Sequence, residues 1–223
     1  MRLIASTAAL LSIALSSLHA ADLDVSDLRL SAGILSNDFK GASSTTVTGG
    51  SDVTTTSTSS NEGRDSEHNE RAELQYVGGH LGYGGGFIYG IGVAVNHATW
   101  NDGAQNAHVT TPSADLLLGY GYAFTHQWHA ELTPFGGIGR AYYSVSDNGT
   151  STTSNNWNKY FEYGVRLGTY FDLGGLVLGV EVPYLVGRFD PTYNYNSGAN
   201  QVSVSDNRRN QGFGLLVSVG GRF

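Results

Sequence analysis

Eight charged residues stand out by position. Arg29, Glu73, Asp115, Glu131, Glu162, Arg166, Glu181 and Arg222 each fall on the polar parity of a segment whose other parity is largely apolar. Carboxylates and guanidinium groups held together away from water support two chemistries. They can pass protons or cations along a polar route, or neutralise one another as a structural plug. Acids outnumber bases in the set, which keeps the first open, while the need of every buried charge for a partner favours the second. Other chemistries find less support. The chain has no cysteine, so neither disulfides nor thiolate metal sites are available. His19, His68, His80 and His108 show no metal-ligand spacing, and His126 and His129 flank Trp128 at a short turn. There is no Walker loop or dinucleotide fingerprint, and no triad can be assembled. No catalytic residue, metal ligand or cofactor is assigned, and the reading is of a protein that is not an enzyme.

Period-two alternation defines the segments that must position these charges, because a strand points successive side chains to opposite faces. Residues 28–35 set Leu28, Leu30, Ala32 and Ile34 against Arg29, Ser31 and Gly33. The same two-faced design recurs at 72–80, 86–97, 112–124, 128 to about 145, 157–171, 176–188 and 211–223. Gly136-Gly137 predicts a bulge in the fifth segment, after which Arg140 turns inward and Tyr143 outward. The last segment, QGFGLLVSVGGRF, aligns Phe213, Leu215, Val217, Val219 and Phe223 on one parity, broken only by Gly221.

The connections fall into two classes. Those after strands one, three, five and seven (36–70, 98–111, 146–156 and 189–210) are long and polar. Those after two, four and six (82–85, 125–127 and 172–175) are short. In an up-and-down antiparallel barrel the two classes emerge at opposite rims. Within the first long connection, TTVTGGSDVTTT predicts a hairpin about Gly49-Gly50. Closing the last hairpin around 196–200 pairs Tyr184 with Phe213, Tyr195 with Val202 and Tyr193 with Val204. Closing 172–175 as a tight turn places Arg166 opposite Glu181, an expected cross-strand ion pair.

Alternation alone does not say which face points out. The polar parity carries many glycines beside the eight charges, and only two lysines, Lys40 and Lys159, occur anywhere. Small residues beside ion pairs suit the lumen of an eight-stranded barrel, which side chains just fill. Aromatics gather near strand ends: Phe87, Tyr122, Phe124, Trp128, Phe171 and Phe223 at one rim, Tyr142, Tyr143, Trp157 and Tyr160 at the other. The expected fold is all-β, an eight-stranded antiparallel up-and-down transmembrane β-barrel with its greasy face outward.

A chain of such strands ending on Phe223 resembles the small bacterial outer-membrane barrels of the OmpA/OmpX type. The resemblance covers residues 28–223 and implies an outer-membrane location. It implies contacts with membrane lipids, lipopolysaccharide and the barrel assembly machinery, for which Phe213, Leu215, Val217, Val219 and Phe223 form the C-terminal signal. It further implies a monomer with a structural, adhesive or surface-interaction role through loops 36–70 and 189–210, whose ligand is a host or cell-surface partner. The alternatives within the group are a narrow porin-like channel or small-solute transporter and a lipid A-modifying enzyme. For the last, His97-Ala98-Thr99 resembles the His-x-Ser element of the lipid A deacylase barrels, with threonine in place of serine.

Bulk properties agree. A chain of 223 residues with a formal net charge of −7 suits one domain and offers no basic run for a nucleic-acid backbone. Arg2, the apolar run 3–15 and the small residues before Ala20 read as a cleaved signal peptide over 1–20, leaving 21–223 as the barrel. Asn148-Gly149-Thr150 matches a glycosylation acceptor that has no expected consequence in such a protein.

Overall fold

The computed structural model describes residues 22–48, 54–65, 68–82, 85–101, 105–147, 150–153, 157–190, 192–197 and 200–223. Residues 1–20, read from the sequence as a signal peptide, and the Gly49-Gly50 and Asn148-Gly149 pairs lie outside these residues. The strands are β1 (Leu23–Thr48), β2 (Thr54–Asp65), β3 (His68–Leu81), β4 (Gly86–Asn101), β5 (Gln105–Ala123) and β6 (Trp128–Asp147). They continue as β7 (Thr150–Thr153), β8 (Asn158–Asp172), β9 (Leu176–Phe189), β10 (Thr192–Ser197) and β11 (Asn200–Arg222). Eight of them form a ring, β1-β3-β4-β5-β6-β8-β9-β11, each antiparallel to the next, and β11 closes on β1. Closure leaves no open edge in the barrel wall, the condition for crossing hydrocarbon with strands.

Alternation decides which face meets the membrane. Ile34 and Leu116 are 66% and 69% exposed, while Asp115 beside Leu116 is 2% exposed. Leu30, Ile91, Val93, Leu118, Leu132, Leu167 and Val217 continue the outward belt on neighbouring strands. An uncharged surface of this extent, wrapped around a buried charged interior, is matched to lipid and not to water.

Three strands stand outside the ring. β2 pairs with the upper half of β1, β10 with the upper half of β11, and β7 with the end of β6. Since β1 and β11 remain paired up to Thr48↔Gln201, the first and last long connections form one four-stranded extension, β10-β11-β1-β2. The hairpins expected in these two connections thus form and, beyond expectation, join in a single sheet. Above the membrane both faces of a strand meet water, so the Ser/Thr-rich sequence carries no apolar parity to mark it. The hairpin expected around 49–50 is present as Thr48↔Thr54 and Val47↔Thr55. The pairs Tyr184↔Phe213, Tyr195↔Val202 and Tyr193↔Val204 occur as predicted.

The bulge at Gly136-Gly137 does not form. β6 keeps one register with β8 from Trp128↔Phe171 to Ala141↔Asn158, and an unshifted one with β5. Arg140 consequently points outward and Tyr143 inward, the reverse of expectation. Gly137 serves a different need, because a Cβ there would collide with the Asp115 carboxylate across the strand pair.

The turn between β8 and β9 also differs. Asp172 Oδ1 accepts from the amides of Gly174 and Gly175, both at 2.8 Å, and these glycines sit at φ 81° and 103°. The resulting turn pairs Asp172 with Val177, so Arg166 faces Pro183 and Glu181 faces Gly168. The offset from the expected register is even, so every side chain keeps its face.

Candidate functional site

The charged residues meet inside the barrel, in layers stacked along its axis. At the short-turn rim Arg222 donates from Nε and Nη2 to Asp27 (2.7 and 3.0 Å) and from Nη1 to Asp172 (2.8 Å). Next, Arg29 donates to Asp27 Oδ2 at 2.8 Å and forks onto Glu131 at 2.7 and 2.9 Å. Its guanidinium lies 3.7 Å above the Tyr170 ring, on which His129 also stacks. His129 Nε2 lies 3.0 Å from Glu131 Oε1.

Above this layer Arg166 donates to Glu73 Oε2 at 2.7 Å and comes within 3.2 Å of Glu181 Oε2. The expected Arg166–Glu181 ion pair therefore exists, but diagonally across the ladder, within the reach of an arginine. Ser31 donates to Glu181 Oε1 at 2.8 Å. Highest of all, Arg71 donates to Glu73 at 3.0 Å, Asp115 at 2.8 Å, Asn96 at 3.0 Å and both oxygens of Glu162 at 3.1 and 3.2 Å. Glu162 also accepts from Ser113 and Tyr160 at 2.7 and 2.8 Å. The Phe135 ring lies between Arg71 and Arg166, 5.8 and 5.3 Å from their guanidinium carbons.

Three of these contacts cross the full width of the barrel. Arg29–Glu131 joins β1 to β6, and both Arg71–Glu162 and Arg166–Glu73 join β3 to β8. Each pair of strands is four steps apart in a ring of eight. Apolar clusters close the column at either end: Leu23, Val25, Val77, Leu81, Ile88 and Ala123 below, and Ala98, Val109, Ala141, Tyr143, Tyr160 and Phe189 above. Tyr143 and Tyr160, expected in the outer aromatic girdle, belong to this upper cap, while Tyr142 and Trp157 remain outside, 5.9 Å apart.

All eight residues singled out in the sequence lie in this column. Glu131 is taken by Arg29, and Arg222 uses Asp27 and Asp172. Arg71 and Asp27 went unmarked. Arg71 shares the inward parity of Glu73, but it ends the polar run NEGRDSEHNER, which hides the start of β3. Asp27 precedes the first clear apolar alternation, although it too shares a parity with Arg29.

Outside the barrel, His97 and His108 stack at 6.3 Å, and His97 Nδ1 lies 3.0 Å from Thr110 Oγ1. Glu70 occupies the register position opposite His97. The ring's hydrogen bond goes to the hydroxyl on β5, and among the described residues no ion pair joins it to Glu70. Among the described residues no cluster of three or more His, Asp or Glu has the arrangement of a metal site. Phe213, Leu215, Val217, Val219 and Phe223 all lie on the exposed outer face of β11 and its end.

The closed ring, lipid-matched exterior and charged, side-chain-filled interior define the class: a small eight-stranded outer-membrane β-barrel. No family model and no curated protein matches this sequence. Among solved structures the chain is similar to Neisserial surface protein A, at 10% identity and a TM-score of 0.45 over 88% of this chain and 97% of that one. It is also similar to the attachment invasion locus protein Ail of Yersinia pestis, at 11% identity and a TM-score of 0.32 over 84% and 98%. A third likeness is to the Pseudomonas putida toluene transporter TodX, at 9% identity and a TM-score of 0.24 over 89% and 90%.

Proposed function

We propose that this protein is a non-conducting, non-catalytic outer-membrane barrel that acts at the cell surface through its protruding β-hairpins. The observation that carries this reading is the set of arginine–carboxylate contacts spanning the lumen from wall to wall, Arg29–Glu131, Arg71–Glu162 and Arg166–Glu73. A solute passing the lumen would have to break paired charges in a low-dielectric interior, where a bare charge is costly. Polar surface and chain length are concentrated instead in the extension β10-β11-β1-β2 at the rim opposite the short turns. That extension is the surface for a host, cell-surface or lipopolysaccharide partner.

One observation favours a second reading, a narrow proton or cation route. Carboxylates outnumber guanidinium groups in the column, and Asp115 Oδ1 and Glu73 Oε1 have no hydrogen-bond partner there. Planar-bilayer recordings on the refolded protein separate the two. The closed reading expects a baseline indistinguishable from protein-free bilayers. Stepwise cation-selective openings in the folded protein would replace it with the channel.

A further inference from the structure

Where the external cations stand is the feature that neither the lumen nor the extension accounts for. Leaving aside the signal peptide and Arg64, whose side chain lies outside the described set, the chain's cations divide sharply. Arg29, Arg71, Arg166 and Arg222 fill the lumen, and Arg208 takes the inward parity opposite Phe189. Every other one lies on the outward parity of one contiguous sector: Arg140 on β6, Lys159 on β8, Arg188 on β9, Arg209 on β11, and Lys40 at its register position on β1.

Within this sector like charges sit directly opposite one another. Arg140 pairs in register with Lys159, Arg188 with Arg209, and Arg209 with Lys40. Directly opposed like charges destabilise a sheet unless something neutralises them. Among the described residues no carboxylate lies within ion-pair distance of Arg140, Lys159, Arg188 or Arg209. Among the described residues Arg140 donates to the Trp157 carbonyl, at 3.4 Å, and Arg209 Nε finds no hydrogen-bond partner. The protein is acidic overall, so bulk charge does not explain the concentration.

Height supplies the ligand. Arg140, Lys159, Arg188 and Arg209 each lie about a dozen residues above the short-turn end of the strand, roughly 40 Å along it and about 30 Å in height at the usual tilt, where the apolar band gives way to headgroups. On three strands the change occurs in one step: Ile138 precedes Arg140, Phe161 follows Lys159, and Val186 precedes Arg188; on β11 Gln211 stands between Phe213 and Arg209. At the corresponding level on β3, β4 and β5 the outward residues are Glu70, His97 and Thr110, with no permanent cation.

We propose that Arg140, Lys159, Arg188 and Arg209 form a docking surface for the phosphate groups of an anionic outer-leaflet lipid. The lipid lays its acyl chains on the belt beneath and its phosphates between the opposed cations. Guanidinium groups suit this task because their fork matches phosphate oxygens in pairs. The proposal rests on the outer-membrane reading, with the rim of the long hairpins facing outward.

The test uses the full mature chain in detergent, with native mass spectrometry counting bound lipid. The probes are diphosphoryl lipid A, its dephosphorylated form and inorganic phosphate. Wild-type protein is expected to retain diphosphoryl lipid A at least about tenfold more strongly than the dephosphorylated form. The paired variants R140S/K159S and R188S/R209S should each lose most of that preference. Two pairs are used so that a folding defect in one leaves the other decisive, and the fold is read from heat-modifiable gel mobility. Equal retention of the two lipids by wild type, or unchanged preference in both folded variants, would overturn the proposal. Displacement of the lipid by millimolar inorganic phosphate would overturn the lipid assignment in favour of a free-anion site. Failure of the wild type to fold or insert would sink the barrel reading itself, and this proposal with it.

Discussion

The arginines inside the barrel and the cations on its outer sector are treated in opposite ways. Each lumen guanidinium is matched by carboxylates from at least two residues, as Arg71 is by Glu73, Asp115 and Glu162. The outer cations face one another instead, Arg188 beside Arg209 and Arg140 beside Lys159. In the interior no solvent is at hand, so the fold itself has to supply the counter-charge. At the headgroup level the surroundings supply it, and among the described residues none of the four outer cations forms an ion pair. One chemical group thus marks self-sufficiency in one region and an expected partner in the other.

The comparison breaks most visibly in the lumen. Replacing Arg71 with methionine leaves Asp115, Glu162 and Glu73 crowded without their shared cation. Removing one partner of a buried ion pair typically costs about 3–5 kcal/mol. Urea unfolding of R71M in detergent micelles should show a loss of that order, and a change under 1 kcal/mol would mean the column is not a connected network. A smaller effect, of opposite sign, is expected outside. R188S/R209S removes a like-charge pair, so without anionic lipid its stability should match or exceed wild type by a few tenths of a kcal/mol. Clear destabilisation there would show that the two cations have partners within the protein.

The smallest effect belongs to His80, an exposed residue at the short-turn rim. A hydrogen bond to Asp24, with Asp22 beside it, raises its pKa above the ordinary histidine value. A raised pKa means the interaction is in full force below the unfolded value and fades as pH rises through the folded one. NMR titration should therefore place His80 above the ordinary histidine value, and Asp24→Asn should lower it. No change on that substitution would remove the contact from the account.

Much of this architecture was legible because a lipid-facing strand must be apolar at every second residue. The pairs Tyr184↔Phe213 and Tyr193↔Val204 followed from parity and a turn position alone. The features that escaped notice share a physical cause. β2 and the upper half of β1 are solvated on both faces, so Gly49-Gly50 marks a hairpin while nothing in the Ser/Thr pattern shows that β1 and β11 stay paired up to Thr48↔Gln201. Arg71 was hidden where that solvated stretch runs into the membrane. Gly137 looked like a backbone irregularity, whereas its use is to make room for Asp115 across the ladder. The register of β8 and β9 turned on Gly174 and Gly175 adopting positive φ around Asp172, a choice that parity does not encode.

Accessibility from water is the most direct measure of whether the diametral ion pairs close the lumen. The chain has no native cysteine, so single replacements report without background. Ser31→Cys and Ser113→Cys place a thiol at buried lumen positions, and Ser205→Cys places one at an exposed position on the extension. In the folded, bilayer-inserted protein, a charged thiosulfonate reagent should modify Ser205→Cys promptly. The two lumen thiols should react only after unfolding. Labelling of either lumen thiol at the rate of Ser205→Cys, with the fold intact, would contradict a closed column and return the protein to the channels.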